Sequence, residues 1–267
     1  MPRKLYVHVP AQRLAASLPF LTKFALQAEV ACHEVALEQL DFELLADCAA
    51  ELQECGLGTT LHAPFTGIDP GSGRRKTIRT SQTNAELTFL LASKLKAQKI
   101  IFHPEIPSSS DPRILSKWFT HSLSFWQNLI PAAVGIGATI CLENIYDQQP
   151  QPLLQLLSAL DSPWVGHVFD IGHWNIFAHT ELTEWLELLG PFLKHMHLHD
   201  NRGLSDDHLP LGQGNAPLGT LFSWLQSVPN PPSLTLENRH LSDVQNSLAF
   251  YRANFTLGTE GPVINRL

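Results

Sequence analysis

The stretch SQTNAELTFLLASKLKAQKIIFHP, residues 81–104, joins a helix pattern to a short strand pattern. Residues 81–98 favour helix, and residues 99–104 form a short apolar run, rich in isoleucine, that ends on a histidine and a proline. A helix followed directly by a buried strand is the repeating unit of a parallel α/β fold. The stretch therefore predicts such a fold, provided that the same unit recurs along the chain.

The unit does recur. Helix-favouring stretches such as 37–56 and 182–190 lie between short apolar runs, and eight of these runs are predicted strands: 4–9, 28–34, 59–64, 99–104, 138–145, 165–173, 193–200 and 233–240. Eight strands alternating with helices over about 250 residues favour a (β/α)8 TIM barrel over an open sheet. No linker divides the chain, so we expect an α/β protein with a single TIM-barrel domain spanning residues 1–267.

The composition limits the possible partners. The 267 residues are 44% hydrophobic and 16% charged, which is typical of a folded core, and the net charge is −7. Such a charge gives no bulk attraction for a polyanion, so a small-molecule substrate is favoured over nucleic acid. The four cysteines form no CxxC pair, and neither a signal peptide nor an apolar run of about 20 residues is present. We expect a cytoplasmic protein with no membrane partner; nothing in the sequence indicates its oligomeric state.

Metal-ligating residue types end six of the predicted strands. They are His62, His103, Glu143, Asp170, His197 and Glu237. A TIM barrel gathers the carboxyl ends of its strands around one mouth, so we expect a metal site there. The stretch DIGH adds His173, and the loop 200–214 adds Asp206 and His208. Nine ligands exceed what one ion uses, which predicts several divalent metal ions, and mixed imidazole and carboxylate ligands suit Zn, Mn or Fe better than Ca or Mg.

The stretch KHMHLHD, residues 194–200, places three histidines on one face of a strand but at different depths. His197 lies level with the other predicted ligands. His195 is two residues deeper and is expected to be a hydrogen-bonded interior residue. His199 lies past the strand end, where it would meet substrate or orient a neighbouring ligand.

An ordered set of motifs resembles the xylose isomerase-like TIM barrel superfamily, also called AP endonuclease family 2, and within it endonuclease IV. The motifs are HAPF (62–65), FHP (102–104), LEN (142–144), DIGH (170–173), MHLHD (196–200), DDHLPLGQG (206–214) and LEN (236–238). The resemblance implies three zinc ions. One would be held by His62, His103 and Glu143, the second by Glu143, Asp170, His197 and Glu237, and the third by His173, Asp206 and His208. By this resemblance two to three divalent metal ions are expected, with Zn favoured and Mn or Fe as alternatives.

The same resemblance implies a metal-dependent phosphodiester hydrolase, with Glu237 and Glu143 as catalytic residues. A small-molecule phosphodiester, such as the nucleotide loop of a cobamide, is favoured over abasic DNA. Expected substrate contacts are Phe65, Arg74, Arg79, Trp174 and His199.

The alternative is a sugar or keto-sugar isomerase or epimerase of the same superfamily. Glu143, Asp170, His197 and Glu237 would then hold one Mn-type ion, and the two glutamates would act as acid and base. A third interpretation, a binding protein without catalysis, would leave the whole ligand set without a use.

Overall fold

The protein is described by a computed structural model that covers residues 4–33 and 35–255. These residues form eight strands: β1 (Leu5–Pro10), β2 (Gln27–Ala31), β3 (Thr59–His62), β4 (Lys99–Phe102), β5 (Thr139–Glu143), β6 (Val165–Asp170), β7 (Leu193–Leu198) and β8 (Ser233–Leu236). They also form nine α-helices: α1 (Leu14–Phe24), α2 (Phe42–Glu54), α3 (Arg75–Leu95), α4 (Pro112–Ile136), α5 (Gln151–Leu160), α6 (Ile171–Phe177), α7 (Leu182–Leu189), α8 (Leu218–Ser227) and α9 (Leu241–Asn254).

The eight strands form a closed barrel in sequence order. Every neighbouring pair is parallel, and β8 closes the ring against β1. The predicted (β/α)8 barrel is therefore confirmed. Because all strands run in one direction, their carboxyl ends meet at one mouth, where the loops that follow them enclose a common space.

The strands are buried on both faces, as a parallel barrel covered by helices requires. Inside the barrel, Ile101, Cys141 and Val168 form a small apolar layer. Outside it, large side chains such as Trp126 and Trp185 fill the space between strands and helices and are fully buried.

Several elements differ in their bounds from the sequence expectation. The helix predicted over 37–56 is interrupted: a short 3₁₀ turn, Leu37–Gln39, precedes α2, and Asp41 caps α2 by accepting the N–H groups of Glu43 and Leu44. Helix α3 begins earlier than residue 81, at Arg75. No helix within residues 4–33 and 35–255 is long and apolar enough to cross a membrane.

Strand β6 ends three residues before its predicted end at His173. The Asp170 carboxylate accepts the N–H of His173 at 2.7 Å and so caps α6, which starts immediately after the strand. His173 therefore lies in the first turn of a helix. Its ring is thereby turned back towards the strand ends.

Candidate metal centre

The predicted ligands converge at the mouth of the barrel. His62, Glu143 and Asp170 are the last residues of β3, β5 and β6, while His103 and Glu237 directly follow β4 and β8. A cavity of about 620 Å³ opens above them. Seven of the nine predicted ligands line it: His62, His103, Glu143, His173, Asp206, His208 and Glu237. Asp170 and His197 lie fully buried beneath its floor.

Four of these residues form one compact group, with His197 at its centre. The ligand atoms of Glu143, Asp170, His197 and Glu237 all lie within 4.8 Å of one another. His197 Nδ1 lies 3.1 Å from Glu143 Oε1, 3.1 Å from Glu237 Oε2 and 3.7 Å from Asp170 Oδ2. Within the described ranges this is the one group of four possible ligands; the other groups have three members.

The chemistry of this group fits a divalent cation. Three buried carboxylates repel one another, and only a cation or protonated histidines can compensate them. Burial would lower the pKa of His197, but Glu29, Glu143 and Glu237 raise it well above its usual value. Glu237 Oε2 is buried and has no hydrogen-bond partner among the residues that the structure describes. An ion placed among these atoms would take the position of the imidazole proton and satisfy that oxygen.

Glu143 faces two separate sets of histidines. Its Oε2 atom lies 3.1 Å from His62 Nε2 and 3.3 Å from His103 Nε2, while its Oε1 atom faces His197 Nδ1 and, at 3.3 Å, His173 Nδ1. Burial would raise the pKa of Glu143, but the facing His197 and hydrogen bonds from His103 and His173 hold it well below its usual range. Glu143 is thus an ionised carboxylate with one oxygen directed to each set.

The loop after β7 brings the remaining predicted ligands to the same cavity. His208 Nε2 lies 2.9 Å from Asp206 Oδ2, and His173 Nε2 lies 3.7 Å from that same oxygen. Asp206 holds the pKa of His208 at about 9, although burial alone would lower it. The three residues predicted for a third ion are therefore neighbours.

His199 lies behind a ligand rather than on the cavity wall. It is fully buried, and its Nε2 atom lies 3.1 Å from both carboxylate oxygens of Asp170. Its ring also stacks on that of His208, with 4.1 Å between centroids. This placement supports the orienting role that we considered for His199, and not the contact with substrate.

The other predicted substrate contacts are divided. Phe65 lines the cavity and packs edge-to-face on the His103 ring at 4.9 Å. Arg74 and Arg79 do not line the cavity; they are exposed, at the N-cap and in the first turns of α3. Trp174 is also absent from the cavity lining, because its side chain packs against the apolar core.

Several residues at the site were missed in the sequence. Arg13 lines the cavity from a short 3₁₀ turn before α1, and His33, Arg239 and His240 line it from loops, where no periodicity marks them. His8 also lines it, with Nδ1 3.0 Å from Glu237 Oε1. Glu29 lies below the centre, 3.0 Å from His197 Nε2. Its one signal was a charged residue between the apolar Ala28 and Val30 of a predicted strand.

Comparison with known proteins agrees with this architecture. Residues 25–253 match the family described as xylose isomerase-like TIM barrel. An uncharacterized protein of Methanocaldococcus jannaschii, MJ1311, is 26% identical over 194 residues, which cover 70% of this chain and 66% of that protein.

Two solved structures share the fold over nearly the whole chain. The TTHB071 protein from Thermus thermophilus, soaked with ZnCl2, is 26% identical with a TM-score of 0.80 and covers 97% of this chain and 100% of its own. A D-tagatose 3-epimerase-like protein is 23% identical, also with a TM-score of 0.80, over 94% of this chain and 96% of its own. The chain belongs to the xylose isomerase-like TIM barrel family.

Proposed function

We propose that the protein is a metal-dependent isomerase or epimerase of a sugar or keto-sugar that uses one Mn-type ion. The observation that carries this proposal is the buried group formed by Glu143, Asp170, His197 and Glu237, whose ligand atoms lie within 4.8 Å of one another. Three carboxylates and one imidazole are a ligand set that suits Mn²⁺ and related divalent ions.

The two glutamates are placed for proton transfer on different faces of a substrate. Glu143 ends β5 and Glu237 follows β8, and strands three places apart in an eight-stranded ring lie nearly opposite each other. Facing histidines, above all His197, hold the pKa of both carboxylates well below the usual range against the effect of burial. Either ionised carboxylate can accept a proton from the carbon beside a carbonyl, and the other, once it has taken up a proton from solvent in the cavity, can return one on the opposite face.

The cavity fits a small polar substrate. Its volume of about 620 Å³ lies within the usual range for small-molecule sites, roughly 300–1,000 Å³. Its wall combines the Phe65 ring with polar groups of His8, His33 and Arg239. A bound divalent ion would polarise the substrate carbonyl and so stabilise the negative charge that deprotonation creates.

This proposal revises our first interpretation, which was phosphodiester hydrolysis. One solved structure of the same fold is named a D-tagatose 3-epimerase-like protein, which agrees with the isomerase alternative. At 23% identity it supports the fold alone, so the proposal depends on the ligand group described above.

Solvent exchange tests the proposal directly. Chelator-treated protein is reloaded with Mn²⁺ and incubated in D₂O with a panel of ketohexoses and ketopentoses, and deuterium at the carbon beside the carbonyl is followed by NMR. We expect exchange with at least one sugar. Glu143→Gln and Glu237→Gln should each reduce its rate by roughly 100-fold or more, the scale of general acid–base catalysis.

The matched control is Glu51→Gln, which changes an exposed glutamate in α2 and should leave the rate unchanged. Absence of exchange with every ketose in the metal-loaded protein, together with cleavage of an aryl phosphodiester, would overturn the isomerase proposal.

Phosphodiester hydrolysis remains the second candidate because of one observation. Glu143 directs Oε2 towards His62 and His103 and Oε1 towards His197, which is the arrangement of a carboxylate that bridges two ions. Two ions about 3.5–4 Å apart would activate a water molecule and stabilise a leaving oxygen. A metal content of two or three ions per chain would favour this candidate.

A further inference from the structure

Glu29 is a buried carboxylate below the metal centre, in the middle of β2. It is fully buried, and its Oε2 atom accepts hydrogen bonds from Thr235 Oγ1 at 2.8 Å and Thr60 Oγ1 at 3.3 Å. The same oxygen lies 3.1 Å from His195 Nε2. A buried charge is costly unless it is paired, and none of these three partners is a permanent cation.

The other oxygen of Glu29 faces the central ligand. Glu29 Oε1 lies 3.0 Å from His197 Nε2, and within the described part of the chain each atom is buried and has no other polar partner nearer than this contact, which is an ion-pair distance rather than an aligned hydrogen bond. The opposite ring nitrogen, Nδ1, faces the carboxylates of Glu143 and Glu237. The imidazole therefore stands between one carboxylate below it and the proposed metal position above it.

Carboxylates face both ring nitrogens, so this placement decides which nitrogen carries the proton once a metal ion occupies the Nδ1 side. A neutral imidazole has one N–H and one lone pair, and the hydrogen bond made by one nitrogen sets the role of the other. A carboxylate beside Nε2 holds the proton there and leaves the Nδ1 lone pair directed into the ligand group. Carboxylate partners of this kind also make the ligand more basic and fix the orientation of its ring.

We propose that Glu29 is a positioning residue that fixes the tautomer and orientation of His197 for metal binding through Nδ1. The inference rests on the metal centre of the proposed function, but it does not depend on which reaction the centre performs. It adds to the site a residue that touches neither the cavity nor the substrate.

The surroundings of Glu29 hold its carboxylate in one orientation. Thr235 and Ser233 lie on the same face of β8 as Glu237, two and four residues before it. The Thr235 hydroxyl contacts both Glu29 and, at 2.7 Å, His195 Nε2, while Ser233 Oγ lies 2.6 Å from His195 Nδ1. His195 is a hydrogen-bonded interior residue, as predicted, and it contacts the Glu29 carboxylate.

The test is the affinity for Mn²⁺ alone, measured by electron paramagnetic resonance of the free ion. Glu29→Gln keeps the side-chain volume and removes the charge. We expect it to weaken Mn²⁺ binding by roughly 10–100-fold, the usual effect of removing such a partner. Thr235→Val removes one support of Glu29 and should weaken binding by a smaller factor.

The matched control is Thr59→Val. Thr59 is equally buried, and its hydroxyl donates to the Leu95 carbonyl, away from the centre. Thr59→Val therefore reports the general effect of losing a buried hydrogen bond. A second measurement is the visible spectrum of the Co²⁺-loaded protein, which we expect to shift in Glu29→Gln and to stay unchanged in Thr59→Val.

The outcomes separate this inference from the proposed function. Wild-type affinity in Glu29→Gln, or a loss no larger than in Thr59→Val, would overturn the role of Glu29. If Glu29→Gln does not fold, Thr235→Val decides, and wild-type affinity there would overturn it equally. Tight Mn²⁺ binding that depends on Glu29, without ketose exchange, would uphold this inference and reject the isomerase.

Discussion

Asp147 is a buried carboxyl that does not belong to the metal centre. One oxygen accepts the N–H of Ile145 at 2.8 Å, and the other, Oδ1, has no hydrogen-bond partner within residues 4–33 and 35–255. Burial raises its pKa to about 7. Since the unfolded chain holds this proton only below about pH 4, the free energy of unfolding falls as the pH rises from about 4 to about 7.

Replacing Asp147 by Asn should remove this loss, because the amide cannot ionise and still offers an acceptor to Ile145. We expect the free energy of unfolding of Asp147→Asn, measured relative to that of wild type, to be about 2 kcal/mol larger at pH 8 than at pH 5. Thermal melts of metal-free protein would show this in the melting temperature: the Tm of the variant minus the Tm of wild type should be roughly 4–8 °C larger at pH 8 than at pH 5. Asp47→Asn, an exposed change in α2, is the control. The same difference in Tm between variant and wild type at pH 5 and at pH 8 would contradict the raised pKa of Asp147.

The period of a strand allowed the depth of single histidines to be predicted, whereas loop residues escaped prediction. His195, His197 and His199 occupy the three expected levels, because alternate residues of a strand share one face. Arg239 reaches the site through its own loop, where its guanidinium donates to the Asp206 carbonyl oxygen. No pattern in the sequence reports such a contact, because it depends on how two loops meet.

At the scale of elements, the loop after β7 is held by one buried carboxylate. Asp200 accepts the N–H groups of Asn201 and Ala216 through Oδ1, and those of Gly212 and Gly214 through Oδ2, all between 2.9 and 3.0 Å. A Cβ on Gly214 would collide with the Asn201 carbonyl oxygen, so the close approach requires glycine. These contacts fix the loop that carries Asp206 and His208.

Asp200→Asn should release this loop, because an amide can accept from two of these N–H groups but presents its own N–H to the others. We expect the free energy of unfolding to fall by about 2 kcal/mol, with faster hydrogen exchange at Gly212, Gly214 and Ala216. Asp207→Asn, in the same loop, contacts only Ser205 through its side chain and should change neither quantity. Unchanged exchange in Asp200→Asn would contradict the role of Asp200.

Element types were easier to predict from the sequence than element ends. The strand predicted over 28–34 stops at Ala31, and the one predicted over 165–173 stops at Asp170. In the second case Asp170 caps the following helix, and a cap depends on side-chain geometry that the apolar pattern does not carry. The asparagines that follow Glu143 and Glu237 fix loops: Asn144 Nδ2 donates to the Asp170 carbonyl, and Asn238 Nδ2 to those of His208 and Leu209.

At the scale of the whole molecule, closure of the barrel creates the site. β8 pairs with β1, which brings His8 near one end of the chain within 3.0 Å of Glu237 near the other. The sequence predicted that strand ends would meet at a mouth, since this follows from the number and direction of the strands. It did not predict which ligands would form the tightest group, because that depends on the tilt and register of the strands.

The number of Mn²⁺ ions bound per chain tests the central claim most directly. Chelator-treated protein is saturated with Mn²⁺, freed of excess ion by gel filtration and analysed by mass spectrometry for metal and by absorbance for protein. The group of Glu143, Asp170, His197 and Glu237 predicts one ion per chain. Two or three ions per chain would contradict the one-ion account and favour the bridged centre around Glu143.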